Sequence, residues 1–330
     1  MIRVKVTNRG IPKEPYTVER DGCQFIFDYS CREYDWLLVY DELPKNSGSI
    51  VNEVEPLACP KEHTILVTQE PPSIKIYPKC YTSQFEYVLT TLTPEQLPHP
   101  NRAYGEGCLY WCAGIPHKEV FSMPEYPKSK VLATVCSAKQ QQHTLHSKRY
   151  NLVKYISEHI PELDWFGRGV KDITRKCEAQ NDYKYAIGIE NYVAPYHWTD
   201  KISDPLLSLC LTFYVGDPRL EELLPAESFI RIPLEDHDEA CRIIREAIDN
   251  NEYEKRLPAI KEARRRIVEQ YNIFNQVAKL IKANHDKPTG PMPEKPVLMK
   301  GRHKLRRNLF NMLAEGWEIM KYKLGFTKSV

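Results

Sequence analysis

The chain has 330 residues, of which 42% are apolar and 27% charged, with a formal net charge of +2. This length holds two ordinary domains, and the balance excludes a disordered polyelectrolyte and a strongly basic nucleic-acid binder, so no nucleic-acid partner is expected. The N-terminus, MIRVKVTNRG, lacks the apolar core of a secretory leader, and the longest uncharged apolar stretch, residues 205–216, is too short to span a bilayer; a cytoplasmic protein without an anchor is expected.

The first third reads as short strands separated by Pro- and Gly-containing turns. Residues 2–6 alternate as a half-buried strand does. Residues 24–27, 36–40, 64–68 and 85–89 are further β-type runs. A second α/β unit starts near Lys128, with a strand over 131–135, a helical period over 145–159 and a strand over 163–166 closed by Gly167-Arg168-Gly169. Residues 236–248 make another helix, and 252–284 a long helical pattern with Pro258 as its candidate break. Asp236-His237-Asp238 matches a DxD pattern formally, but at a helix start it reads as a cap.

Ten cysteines are scattered without a CxxC pair, which suits reduced, mostly buried thiols. Cys108 and Cys112 are the pair spaced for a metal, and no second such pair accompanies them.

The stretch 185–229 is the most informative. An apolar strand, Tyr185-Ala186-Ile187-Gly188-Ile189, ends at Glu190-Asn191. A loop with Pro and aromatic residues leads to Thr199-Asp200-Lys201, which opens an apolar helix over 202–209. A second strand over 211–215, the turn Gly216-Asp217-Pro218 and a third strand over 229–232 follow. Strand and helix alternation predicts a parallel sheet, and ligands bind at the carboxyl ends of its strands.

The order of these pieces resembles the signature of the α1,3/4-fucosyltransferases. Glu190-Asn191, Thr199-Asp200-Lys201, Gly216-Asp217-Pro218 and Pro225-Ala226-Glu227-Ser228-Phe229-Ile230 stand in that family's order. Asp200, His197 and Cys210 stand where the family has Glu, Tyr and Gly, which leaves the donor sugar open. The resemblance implies an α/β fold of two Rossmann-like domains, GT-B type, facing a cleft, with C-terminal helices. The expected domains are 1–127 for the acceptor and 128–284 for the nucleotide sugar, ending in the long helix. A Pro-rich linker over 285–299 and a basic amphipathic tail over 300–330 follow.

The implied reaction is inverting transfer of L-fucose from GDP-fucose to a hydroxyl of a glycan, a surface polysaccharide or lipid-linked glycan. A related GDP-sugar as donor, and a non-catalytic nucleotide-sugar or glycan binder, are the alternatives. By the resemblance Glu70 is the base, Asp200 contacts the donor, and Arg149 (with Lys148 as rival) and Lys201 hold the diphosphate. Glu190, Asn191, Tyr196, His197 and Arg168 complete the donor site. These bases replace a metal, so no cofactor is expected.

In the tail Leu305, Leu309, Met312, Leu313, Trp317, Met320 and Leu324 mark one helical face among Lys and Arg residues. That pattern suits an anionic membrane surface on the inner face of a membrane, and equally a helix packed on its own protein or on a second copy.

Overall fold

A computed structural model describes residues 1–10, 14–105, 117–141 and 144–325. The chain forms two compact units, Met1–Gly105 with Ile273–Val330, and Glu106–Asn272.

The first unit contains β1 (Ile2–Thr7), β2 (Tyr16–Arg20), β3 (Cys23–Phe27), β4 (Trp36–Tyr40), β5 (Val54–Pro56), β6 (Thr64–Val67), α1 (Lys79–Thr82), β7 (Tyr87–Thr90) and β8 (Arg102–Tyr104). Seven strands form one sheet in the order β2-β3-β1-β4-β6-β7-β8. All neighbours are parallel except the edge pair β2 and β3. The apolar runs fit this arrangement because parallel strands are covered on both faces. Val4 pairs with Phe25 on one side and Trp36 on the other, and all three are fully buried.

The second unit contains α2 (His117–Val120), β9 (Lys130–Val135), α3 (His146–His159), β10 (Leu163–Phe166), β11 (Tyr183–Ile189), α4 (Asp200–Leu207), β12 (Leu211–Val215), β13 (Phe229–Arg231), α5 (His237–Asp249) and α6 (Glu252–Arg266). Its five-stranded sheet has the order β10-β9-β11-β12-β13 and is parallel throughout. The connections run to opposite sides from β9, so the switch point lies between β9 and β11. Asp236 caps α5, its carboxylate accepting the Glu239 N–H at 3.0 Å, as expected of the formal DxD pattern.

The helical period over 252–284 is not one helix. α6 carries Pro258 inside it, and a π-type turn, Ile267–Tyr271, follows. The break comes at Asn272, whose backbone is extended (ψ 153°). From there α7 (Ile273–Lys282) belongs to the first unit, where Phe274 packs edge-on against Phe25 and Phe27. The second unit therefore ends at Asn272, and the segment read as a linker closes in β14 (Leu298–Lys300), which pairs antiparallel with β5.

The tail is also two helices, α8 (Arg302–Arg306) and α9 (Leu309–Lys323), with Asn308 capping the second through bonds from the Phe310 and Asn311 N–H groups. α9 turns Glu315 inward, 2% exposed, while Phe310, Leu313 and Trp317 are 80%, 60% and 53% exposed. Its buried side carries charge and its open side is apolar, the reverse of an ordinary surface helix.

Candidate functional site

The second unit holds a cavity of about 270 Å³ at the carboxyl ends of β9 and β11, at the switch point of its sheet. Its wall includes Thr134, Cys136 and Ser137 at the end of β9, Gly167 and Arg168 after β10, and Gly188, Ile189 and Asn191 at the end of β11. His146 and Arg149 enter from α3, Asp200 and Lys201 from α4, Lys139 from a loop, and Lys176 from a one-turn helix before β11.

Arg149 is the most buried cation of the cavity wall. Its side chain sits in the first turns of α3 and is only 7% exposed. Its nearest polar partner is the Cys136 sulfur, 4.0 Å from Nη2, and its buried Nε has no hydrogen-bond partner. A buried guanidinium without a carboxylate is costly unless an anion completes it. Burial pushes the Cys136 thiol up, and the adjacent Arg149 and Lys201 charges oppose that shift. Lys148, the rival at sequence level, instead pairs with Glu235 at 2.5 Å and does not line the cavity.

Lys201 is positioned by the first turn of α4. Thr199 caps that helix, its Oγ1 accepting the Lys201 N–H at 3.4 Å. The helix dipole at such a turn favours an anion, and Lys201 adds a full charge. Pro205 lies four residues on and has no N–H to give the Lys201 carbonyl. That carbonyl lies against β11 at Gly188, where a Cβ would be 2.2 Å from it. Gly167, with φ +140°, approaches the end of β9 as closely, a Cβ there lying 2.5 Å from the Cys136 oxygen.

Asp200 is 6% exposed and ion-paired with both Lys201, at 3.2 Å, and Lys176. Lys176 also reaches the buried Asp204 at 3.4 Å. Sequence reading did not select Lys176, Lys139 or His146. Lys176 comes from a one-turn helix before β11 in a segment without a motif, and only folding places it across the start of α4.

No protein-family model and no curated protein matches the chain. Solved structures do. An α1,3-fucosyltransferase crystallised with GDP-fucose superposes with a TM-score of 0.50 at 13% identity, covering 88% of this chain and 91% of that chain. A second α1,3-fucosyltransferase structure gives a TM-score of 0.50 at 14% identity, covering 90% and 92%. The chain has the GT-B glycosyltransferase fold.

Within this GT-B chain, Arg149, Lys201, Asp200, Asn191 and Arg168 share the cavity wall, while Glu190, Tyr196 and His197 are placed elsewhere. Glu190 is fully buried and turned back toward α4. Its carboxylate accepts the Thr199 N–H at 2.9 Å and the Thr199 hydroxyl at 2.7 Å. It holds the cap that aims Lys201. Tyr196 adopts a left-handed backbone (φ 60°) and donates to Glu222 at 3.1 Å, with Arg219 stacked 4.5 Å from its ring. His197 is 6% exposed against Tyr192, and burial lowers its pKa, the Glu190 charge opposing and the Lys201 charge adding to that shift.

Glu70 belongs to the other unit of the GT-B fold. It follows β6 and is half-buried, and its backbone N–H donates to the Tyr77 hydroxyl at 3.1 Å. Cys108 and Cys112 lie outside the described residues. The described cysteines are all free thiols, most of them buried. Among the described residues, no helix is long and apolar enough to cross a membrane.

Proposed function

We propose that this chain moves L-fucose from GDP-fucose to a glycan hydroxyl, with inversion and without a metal. The observation that carries the reading is Arg149, a buried and incompletely bonded cation facing Lys201 in a cavity at the switch point. In this reading the acceptor oxygen forms the bond to the anomeric carbon as the bond from that carbon to the GDP oxygen breaks. The acceptor proton goes to the Glu70 carboxylate, and the charge left on GDP is taken up by Arg149, Lys201 and the α4 N-terminus. Asp200 holds Lys201 and receives a donor hydroxyl. Asn191 and Arg168 line the same site. A lipid-linked glycan or surface polysaccharide is the proposed acceptor class.

Thermal shift with GDP, UDP, CDP, ADP and GDP-fucose, each with EDTA, tests the donor. A ligand at 100 times its Kd stabilises by about 2.7 kcal/mol, a shift of several degrees. Response to GDP and GDP-fucose alone supports the reading. Response to UDP or CDP instead replaces the donor, and a strict Mg²⁺ or Mn²⁺ requirement for turnover rejects metal independence. GDP release and a glycan array with labelled GDP-fucose then separate a transferase from a binder.

The outward apolar face of α9, with Arg306, Arg307, Lys321 and Lys323 on the same segment, supports attachment to an anionic membrane. Co-sedimentation with phosphatidylglycerol vesicles, and not with phosphatidylcholine vesicles, is expected. Failure with both rejects the attachment.

A further inference from the structure

The loop that carries Glu70 has a support of its own. The Tyr77 phenol oxygen accepts two backbone bonds, from the Gln69 N–H at 3.0 Å and the Glu70 N–H at 3.1 Å. Its own proton goes to Asp41 Oδ1. Lys75 Nζ lies 2.9 Å from each Asp41 oxygen and 2.5 Å from Glu42. Glu42 in turn accepts Arg302 Nε at 2.8 Å, and Arg302 reaches Glu315 of α9 at 2.7 Å. Tyr77 and Glu42 are 5% and 1% exposed, so water competes little for these bonds. Asp41 follows β4 in a left-handed backbone (φ 69°), a conformation uncommon among non-glycine residues that Asp tolerates better than most.

The geometry points to a specific role. We propose that Tyr77, oriented by Asp41 and Lys75, is the positioning residue for Glu70, and that Arg302 and Glu315 extend this support to the C-terminal helices. The proposal rests on the reading of Glu70 as the base. A Pro-Pro pair follows Glu70, so Pro71 and Pro72 contribute no N–H groups, and the two N–H groups before them are the loop's handle. One phenol oxygen takes both. Phenylalanine would fill the same space and take neither. Burial and the Asp41 charge hold the phenol pKa well above its ordinary value, so the proton stays on Tyr77 and the bond to Asp41 keeps its direction.

The test uses the full chain with GDP-fucose, reading GDP release with the best acceptor from the array. Glu70→Gln, Tyr77→Phe and Asp41→Asn are compared for kcat, KM for the donor, thermal midpoint and the midpoint shift with GDP. Glu70→Gln is expected to lower kcat about 100-fold. Tyr77→Phe is expected to lower kcat roughly 10- to 100-fold, as for a displaced reacting group, with donor KM and the GDP shift retained. Asp41→Asn keeps an acceptor for the phenol and is expected to lose less, with the same split. Wild-type kcat in Tyr77→Phe beside an inactive Glu70→Gln overturns the proposal and leaves the base reading standing. A kcat loss matched by loss of folded protein or of the GDP shift also overturns it. If Tyr77→Phe does not fold, Asp41→Asn decides alone: wild-type kcat overturns the proposal. An active Glu70→Gln, or a wild type that releases no GDP, ends the base reading and this proposal with it.

Discussion

At the scale of single residues, Arg149 separates function from stability. Its guanidinium is buried without a carboxylate, so removing it orphans no partner charge. Arg149→Met is expected to lower kcat/KM for the donor roughly 100- to 1,000-fold, as loss of a charge-stabilising donor does, while the thermal midpoint holds or rises. A fall in the midpoint with activity retained would make Arg149 a structural residue. His197 gives the pH counterpart. Burial lowers its pKa below the ordinary 6.5, so the folded unit keeps it neutral while the unfolded chain takes up a proton. Its contribution to stability is therefore complete well above pH 6.5 and is lost as pH falls through 6.5 toward the lowered value. His63 and His99 are lowered by the same cause, so the wild-type midpoint should drop between about pH 7.5 and pH 5.5. His197→Gln should flatten part of that slope.

At the scale of elements, α4 is where sequence and site meet. Thr199 both caps the helix and donates to the buried Glu190. Thr199→Ala removes the cap and leaves a carboxylate oxygen short of a bond, an expected loss of about 2–4 kcal/mol. Chemical denaturation measures it, and donor KM should rise because Lys201 is no longer held. Gly188 belongs to the same argument. Gly188→Ala places a methyl group against the Lys201 carbonyl, so donor binding should fall in thermal shift even where the unit still folds. Much of this element was legible beforehand. A continuous apolar run, a Thr cap and an acid in the first turn announce strand, loop and helix without tertiary information. The inward turn of Glu190 was not legible, because a polar pair at a strand end reads the same facing a cavity or a helix cap.

At the scale of the whole molecule, the two units differ in connectivity. Glu106–Asn272 is one continuous segment, whereas the other unit needs both ends of the chain. A protein of residues 106–272 is expected to melt cooperatively and to keep its GDP-induced shift. A chain ended at residue 272 should lose the cooperative melting of the first unit, since Phe274, Val277, Ala278 and Ile281 of α7 are buried there. Calorimetry of both pieces checks this. The periodicity over 252–284 hid the crossing because α6 and α7 are each amphipathic. Asn272 interrupts them by backbone conformation, which a hydrophobic period does not report.

The sequence by itself determined the alternation of strands and helices in the second unit, the parallel character of that unit's sheet, and the order of motifs that marks one sheet edge as a binding edge. Apolar runs, caps and turn residues are local, and local free energies are readable along the chain. Only the tertiary structure decided which cations face one cavity. Lys176 joins Asp200 across 24 residues of chain (200 − 176), and Arg302 joins Glu42 across 260 (302 − 42), by side-chain directions that no spacing encodes. It also decided that the tail turns Glu315 inward and leaves Phe310, Leu313 and Trp317 exposed. Amphipathicity fixes the existence of a face, and only the surface it meets fixes which way that face points.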